Sequence, residues 1–194
     1  MVADVTVVGT GIIALSAALE LADRGLSVRL VGTTHSGNAS AAAGGMLAPS
    51  ISPETGSAHD FAVASRDRYP GYVAALVERS GRRIPMNEAG TIELAFEESE
   101  RTLFQLSNDR SAVWLSSGEI GLEEPGIAAC LGGLLHPLDG AVEPLALLDA
   151  LSVAVASPEE INTAREDCRE LHVSELGCNV LTDMESRFAS DQVV

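Results

Sequence analysis

The sequence predicts a mixed α/β fold that opens on a parallel βαβ unit and carries, inserted behind it, an α+β region built on an antiparallel sheet. Residues 4–8 are a short β-branched run closed by glycines, as a buried parallel strand would be. The helical segment that follows is rich in Ala and Leu, and Ser27 to Val31 supplies a second strand, so a right-handed crossover is expected. Farther on, Ile92, Leu94 and Phe96 alternate with Thr91, Glu93 and Ala95, the period of a strand with one buried face. Such a strand belongs to an antiparallel sheet rather than to a parallel one covered on both sides.

Ile12 to Arg24 places Ile12, Leu15, Leu19 and Ala22 on one helical face and stops at Gly25, a suitable C-terminal cap. Residues 35–57 are rich in Ser, Ala and Gly and contain Pro49 and Pro53, which predicts a loop with at most a short helical turn. Residues 58–80 are predicted helical, with Phe61, Tyr69, Tyr72 and Leu76 at helical spacing, a kink at Pro70 and a stop at Gly81. A helix over 97–108 and a loop through Pro125 and Gly126 follow. Pro144 starts a further helix to Ala156, with Leu145, Leu148, Leu151 and Val155 on its apolar face. Short strands are predicted near 170–174, 178–182 and 189–194. These elements suggest a first nucleotide-binding region over 1–81, a second region over 82–165 and a return to the first over 166–194, incomplete at the C-terminus.

Composition narrows the function classes. With 46% hydrophobic and 21% charged residues, the 194-residue chain has an ordinary globular balance. A formal charge of −16 repels phosphate backbones and anionic lipid, so nucleic acid is not an expected partner. Cys130, Cys168 and Cys178 are odd in number and form no CxxC pair, which argues against a disulfide framework or zinc site and fits the cytoplasm. The opening Met1-Val2-Ala3-Asp4 lacks a basic leader, and Gly9, Gly11, Glu20 and Asp23 interrupt the apolar stretch before it could span a bilayer, so no signal peptide and no membrane anchor are expected. Assembly into a homo-oligomer is left open.

Gly9-Thr10-Gly11-Ile12-Ile13-Ala14 matches G-x-G-x-x-[GA], directly after a strand and opening a helix. Gly9 allows a tight turn, Gly11 admits a pyrophosphate close to the backbone, and Ala14 lets helix pack on strand. The helix N-terminus offers free N–H groups and a partial positive charge to phosphates. The acidic residue that should end the second strand, roughly 20 residues on, and bind the adenosine ribose is absent, because Gly32 stands there. Either Thr33, Thr34 or backbone groups hold the ribose, or cofactor affinity is reduced by the loss of a charge-assisted hydrogen bond. No basic residue lies between Arg29 and Arg66 to accept a 2′-phosphate, which disfavours NADP.

Ala39-Ser40-Ala41-Ala42-Ala43-Gly44-Gly45-Met46-Leu47-Ala48-Pro49 resembles the AS-x-AAAGMLAP segment of glycine oxidases of the thiamine-biosynthesis type, within the D-amino-acid oxidase superfamily. An Ala-Gly run lets backbone lie against a flat isoalloxazine ring. The resemblance implies a Rossmann-like FAD-binding domain with an inserted substrate domain, FAD as cofactor, and Ser40, Ala43, Gly44, Gly45 and Met46 lining the flavin and pyrophosphate. The family usually has Ala where Gly44 stands. Ser65 to Pro70, Gly90-Thr91-Ile92, Leu122 to Pro125, Asp139 to Pro144 and Ser190 to Val194 resemble further family segments in the same order. Cys168 falls where the family has an apolar residue whose backbone meets adenine.

The chemistry implied is oxidation of glycine, another small amine or a D-amino acid to its imine, with O₂ reduced to peroxide. The family's substrate-binding arginine and the tyrosine beside it fall beyond Val194, so no catalytic residue is carried over. Two alternatives stay open: a non-catalytic flavin- or nucleotide-binding remnant, and part of an NAD-dependent dehydrogenase. His35, His59, His136 and His172 have no metal-ligand spacing and are expected to be solvated or locally bonded. Glu97, Glu98 and Glu100 are expected at a solvated helix start, and Trp114 in the core.

Overall fold

The structure, a computed structural model, describes residues 2–35, 38–52, 55–105, 109–127, 129–175 and 177–194. Its elements begin with β1 (Ala3–Val8), α1 (Ile12–Asp23), β2 (Val28–Val31), α2 (Ala39–Ala42), β3 (Met46–Leu47) and α3 (Ser57–Ser80). Then come β4 (Met86–Asn87), β5 (Thr91–Ala95), α4 (Glu98–Phe104), β6 (Val113–Ser116), α5 (Ser117–Glu123), β7 (Gly132–His136) and β8 (Gly140–Val142). The chain continues through α6 (Pro144–Ala154), β9 (Ile161–Ala164), β10 (Cys168–Ser174), β11 (Gly177–Thr182) and β12 (Arg187–Val193). Two compact units result: unit one is Met1–Ala43, Val73–Ile84 and Pro144–Val194, and unit two is Gly44–Tyr72 and Pro85–Glu143.

Unit one is organised on a six-stranded sheet in the order β10-β11-β12-β1-β2-β9. The strands from β12 to β9 run parallel, while β10, β11 and β12 form an antiparallel meander. Val5, Val7, Val28, Leu30 and Val31 are buried in its centre. Glu97 caps α4 of unit two through a capping box with Glu100, so the acidic run is a helix start.

Residues 144–165, expected with the second region, lie in unit one. Helix α6 packs on α1 and α2, and β9 pairs with β2 as the edge of the parallel sheet. The buried face of α6 is Leu147, Ala150, Leu151 and Ala154; of the expected Leu145, Leu148, Leu151 and Val155, Leu151 and, just past the helix end, Val155 are buried and Leu148 is half-buried. Leu145 is 55% exposed, and the face has rotated to bring alanines inward. Helix α1 likewise buries Ala18 and Ala22, and small residues let two helices approach closely.

Unit two holds two three-stranded antiparallel sheets, β3-β8-β4 and β5-β7-β6. The strand expected in 90–96 is β5, which pairs antiparallel with β7, but its burial does not alternate: Ile92 and Leu94 are half-buried, Ala95 is fully buried, and Phe96 lies past the strand end and is 53% exposed. The stretch expected as loop between 109 and 126 contains β6 and α5, whose N-cap is Ser116 in a capping box with Glu119. The helix expected over 97–108 ends at Phe104, and 106–108, like Pro53, lie outside the described residues. Helix α3 runs through Pro70, burying Val73 and Leu76, whereas Phe61 is 75% exposed. Trp114 is half-buried, with the Arg101 guanidinium 5.4 Å from its ring centroid, so it is not a core residue.

Candidate functional site

In unit one the turn from β1 into α1 forms the floor of an open cleft. Gly9 has φ +131°, a conformation that disfavours side chains, and a Cβ there would meet the Ala14 side chain at 3.3 Å. Its N–H donates to the Val31 carbonyl at 2.8 Å, which joins the turn to the end of β2. A Cβ on Gly11 would lie 3.0 Å from the Ser40 hydroxyl oxygen. That oxygen accepts the Ile12 N–H at 3.0 Å, one of the first-turn donors that a helix leaves without an internal acceptor. Ser40 is held in place because Asn38 caps α2, accepting the Ala41 N–H at 2.7 Å.

The sequence-predicted residues of unit one gather here. Gly9, Gly11, Ile13, Ala14 and Ser40 line one cavity of about 290 Å³, and Gly9, Gly11, Thr33 and Cys168 line a neighbouring one of about 460 Å³. Thr33 and Thr34 also line a larger cavity of about 770 Å³, into whose wall the chain after β9 brings Arg165, a basic residue that linear spacing did not reveal. Ala43 ends α2 within unit one. Gly44, Gly45 and Met46 fall in unit two, where Gly45 has φ +69° and Met46 is 60% exposed in β3, beside Ala141 of β8.

Sequence reasoning missed Asp167. Its Oδ1 accepts the Thr33 N–H at 3.2 Å and the Thr33 hydroxyl at 2.5 Å, and lies 3.1 Å from His35 Nε2. The Thr33 hydrogen bonds hold its carboxyl below the usual carboxylate range, against desolvation and with a further contribution from His35. Asp167 lines the same 460 Å³ cleft as Gly9 and Gly11. The only signal for it was three charged residues, Arg165 to Asp167, after a segment with no strand-like apolar pattern.

Unit two carries a different polar centre. The buried Asp139 accepts from Arg66 Nη1 at 3.1 Å, from the Ser50 hydroxyl at 3.0 Å and from the Ser50 N–H at 3.3 Å. Gly140 follows it because a Cβ there would overlap the Asn87 carbonyl oxygen. His136, expected to be solvated or locally bonded, is 1% exposed, with Nδ1 2.8 Å from Asp109 and Nε2 2.9 Å from Glu93. Burial pulls its pKa down, but the hydrogen bonds and charges of Asp109 and Glu93 outweigh that and raise it. Asp109 is held at about 2: desolvation works against this, and the bonds from Ser111 and His136 prevail.

A parallel sheet with a glycine turn leading into a helix N-terminus defines a dinucleotide-binding protein of the α/β class. Residues 4–175 match the family model described as FAD dependent oxidoreductase, and the chain belongs to that family. It is 36% identical over 164 residues to the glycine oxidase of Geobacillus kaustophilus, covering 79% of this chain and 44% of that protein. It is 34% identical over 160 residues to the bifunctional protein ThiO/ThiG of a Synechocystis species, covering 79% of this chain and 23% of that protein. The chain thus spans less than half the length of these relatives. The crystal structure of the Geobacillus kaustophilus glycine oxidase superposes with a TM-score of 0.88 at 30% identity, over 98% of this chain and 54% of that one. A structure of L-α-glycerophosphate oxidase from Mycoplasma pneumoniae with FAD bound shares the fold, with a TM-score of 0.82 at 20% identity over 100% of this chain and 53% of that one. Among the described residues, no helix is long and apolar enough to cross a membrane.

Proposed function

We propose that the protein takes part in the FAD-dependent oxidation of glycine, another small amine or a D-amino acid to the imine, with O₂ reduced to H₂O₂, in a role linked to thiamine biosynthesis in the cytoplasm. The observation that carries this is the glycine turn of unit one, locked by Ser40 onto Ile12, in a chain 36% identical to a glycine oxidase. The residues fit a dinucleotide: Gly9 is held at φ +131°, a Cβ on Gly11 would crowd the Ser40 hydroxyl at 3.0 Å, and Ile13 and Ala14 of the α1 N-terminus line the adjoining cavity. Similarity to the ThiO/ThiG protein supports the link to thiamine.

FAD, when bound, supplies the acceptor for the two electrons removed from the substrate. Around it, the chain binds and orients. The first turn of α1 takes the pyrophosphate, with Gly9, Gly11, Ile12, Ile13 and Ala14 as the contact surface and Ser40 fixing the helix end. By resemblance to the family, Ala43, Gly44, Gly45 and Met46 would line the flavin. Cys168 contributes backbone beside adenine. Unit two is proposed as the beginning of the substrate-binding domain, its Asp139 holding Ser50 and Arg66 in place. No residue of this chain is assigned a catalytic role.

The protein, expressed from its whole reading frame and loaded with FAD, is mixed anaerobically with glycine, sarcosine or D-alanine while the flavin absorbance is followed. Bleaching by one of these, followed by peroxide on admitting air, is expected. Bound FAD that none of them reduces would overturn the substrate assignment and favour the non-catalytic alternative.

A further inference from the structure

We propose that Asp167, from the loop between β9 and β10, supplies the carboxylate that the end of β2 lacks, and that its Oδ2 accepts hydrogen bonds from the adenosine ribose hydroxyls of the cofactor. The inference rests on the FAD assignment and adds to it a residue far from β2 in sequence. Gly32 stands where an acid would end the second strand of a dinucleotide fold. The position is crowded: a Cβ there would come within 3.1 Å of Thr10 Cγ2 and 3.2 Å of the Gly9 carbonyl carbon, so either neighbour would have to give way by a few tenths of an ångström. The acid has to arrive from elsewhere, and the topology brings one.

Strand β9 pairs in parallel with β2, and the Ala164 carbonyl accepts the Gly32 N–H at 3.1 Å. Three residues later the backbone of Asp167 is clamped by Asp183, whose N–H donates to its carbonyl at 2.9 Å and whose carboxylate accepts its N–H at 3.0 Å. The side chain is therefore aimed by a fixed loop. Thr33, the residue after the missing acid, donates both its N–H and its hydroxyl to Oδ1, and His35 approaches the same oxygen. Among the described residues no hydrogen bond reaches Oδ2. The side chain is 38% exposed and shares its cleft with Gly9 and Gly11. A carboxylate with one oxygen anchored and one open, beside a pyrophosphate turn, is the acceptor that a pair of vicinal ribose hydroxyls requires. Thr33, expected to touch the ribose, thereby becomes a positioning residue.

Asp167→Asn keeps Oδ1 as the acceptor for Thr33 and removes the charge. The wild-type protein and this variant are titrated by calorimetry with FAD, FMN, ADP and 2′-deoxy-ADP. The variant is expected to bind FAD and ADP about ten- to a hundred-fold more weakly, the loss of a charge-assisted hydrogen bond, with FMN affinity and Tm unchanged. The wild type should prefer ADP over 2′-deoxy-ADP, and the variant should lose that preference. Equal FAD binding by wild type and variant would overturn the ribose contact and leave the flavin assignment standing. A wild type that prefers ADP over 2′-deoxy-ADP but refuses FAD would do the reverse. A variant with lowered Tm that loses FAD and FMN alike would show a structural aspartate and overturn the proposal.

Discussion

The two units treat their acidic side chains in opposite ways. In unit two, Asp139 has no exposed side-chain surface and holds Arg66 and Ser50, while Asp109 and Glu93 flank a His136 ring that is 1% exposed. In unit one, Asp167 is anchored through a single oxygen and is 38% exposed at the edge of the nucleotide cleft. A buried ion pair rarely contributes much net stability against an apolar replacement, but removing one partner strands the other, so such clusters specify one arrangement of the chain. An acid left half open makes little demand on stability and remains available to a ligand. The His136 and Asp139 clusters of unit two thus hold the fold together, whereas Asp167 of unit one is proposed to face the cofactor.

The largest expected effect comes from breaking the cluster around the buried His136. His136→Ala leaves Asp109 and Glu93 without the imidazole between them and should lower unfolding stability by about 3–5 kcal/mol in urea titrations. A loss below about 1 kcal/mol would put His136 in the same class as an exposed side chain. Next is Gly9→Ala, which forces a side chain onto φ +131° and towards Ala14. It should cost about 1–3 kcal/mol in the same assay and also weaken FAD binding, since strain and cleft share one residue. Unchanged FAD affinity would separate the turn from the cofactor.

The pH dependence sharpens the contrast. The folded-state pKa of His136 lies above its ordinary 6.5, so its contribution to stability is complete below that value and is lost as pH rises through the raised one. Asp109 is lowered from 3.8 to about 2, so its contribution is present above 3.8 and is lost as pH falls towards 2. Urea midpoints measured across pH should therefore fall on both sides, and His136→Ala should flatten the alkaline limb. The smallest effect is expected at the open acid, where Asp167→Asn should leave the urea midpoint close to that of the wild type.

How much of this was legible in the sequence follows the same division. The βαβ unit was readable because β1, α1 and β2 are local elements with strong periodicity and a glycine turn between them. Strand β9 was not: of its four residues only Ile161 is a strong apolar signal, and its place comes from pairing with β2. Without β9 there was no reason to bring Asp167 to Thr33, which is 134 positions away along the chain. The cluster around His136 was invisible for a similar reason, because Glu93, Asp109 and His136 come from separate segments with no shared spacing. In α6 the helix was legible but its inward face only in part, at Leu151 and Val155, since Leu outranks Ala on any hydrophobic pattern while helix packing favoured the alanines. The loop character of Ala39 to Pro49, with one short helical turn, was legible from composition, whereas its proposed place beside the flavin came only from its resemblance to a family.

The central claim is that unit one grips the adenosine half of FAD, and a titration of the unmodified protein with FAD and FMN, read by quenching of flavin fluorescence, tests it most directly. FAD is predicted to bind at least about tenfold more tightly than FMN, because only FAD carries the second phosphate and the ribose that are proposed to meet the α1 N-terminus and Asp167. Equal affinity for the two flavins, or tighter binding of FMN, would contradict it.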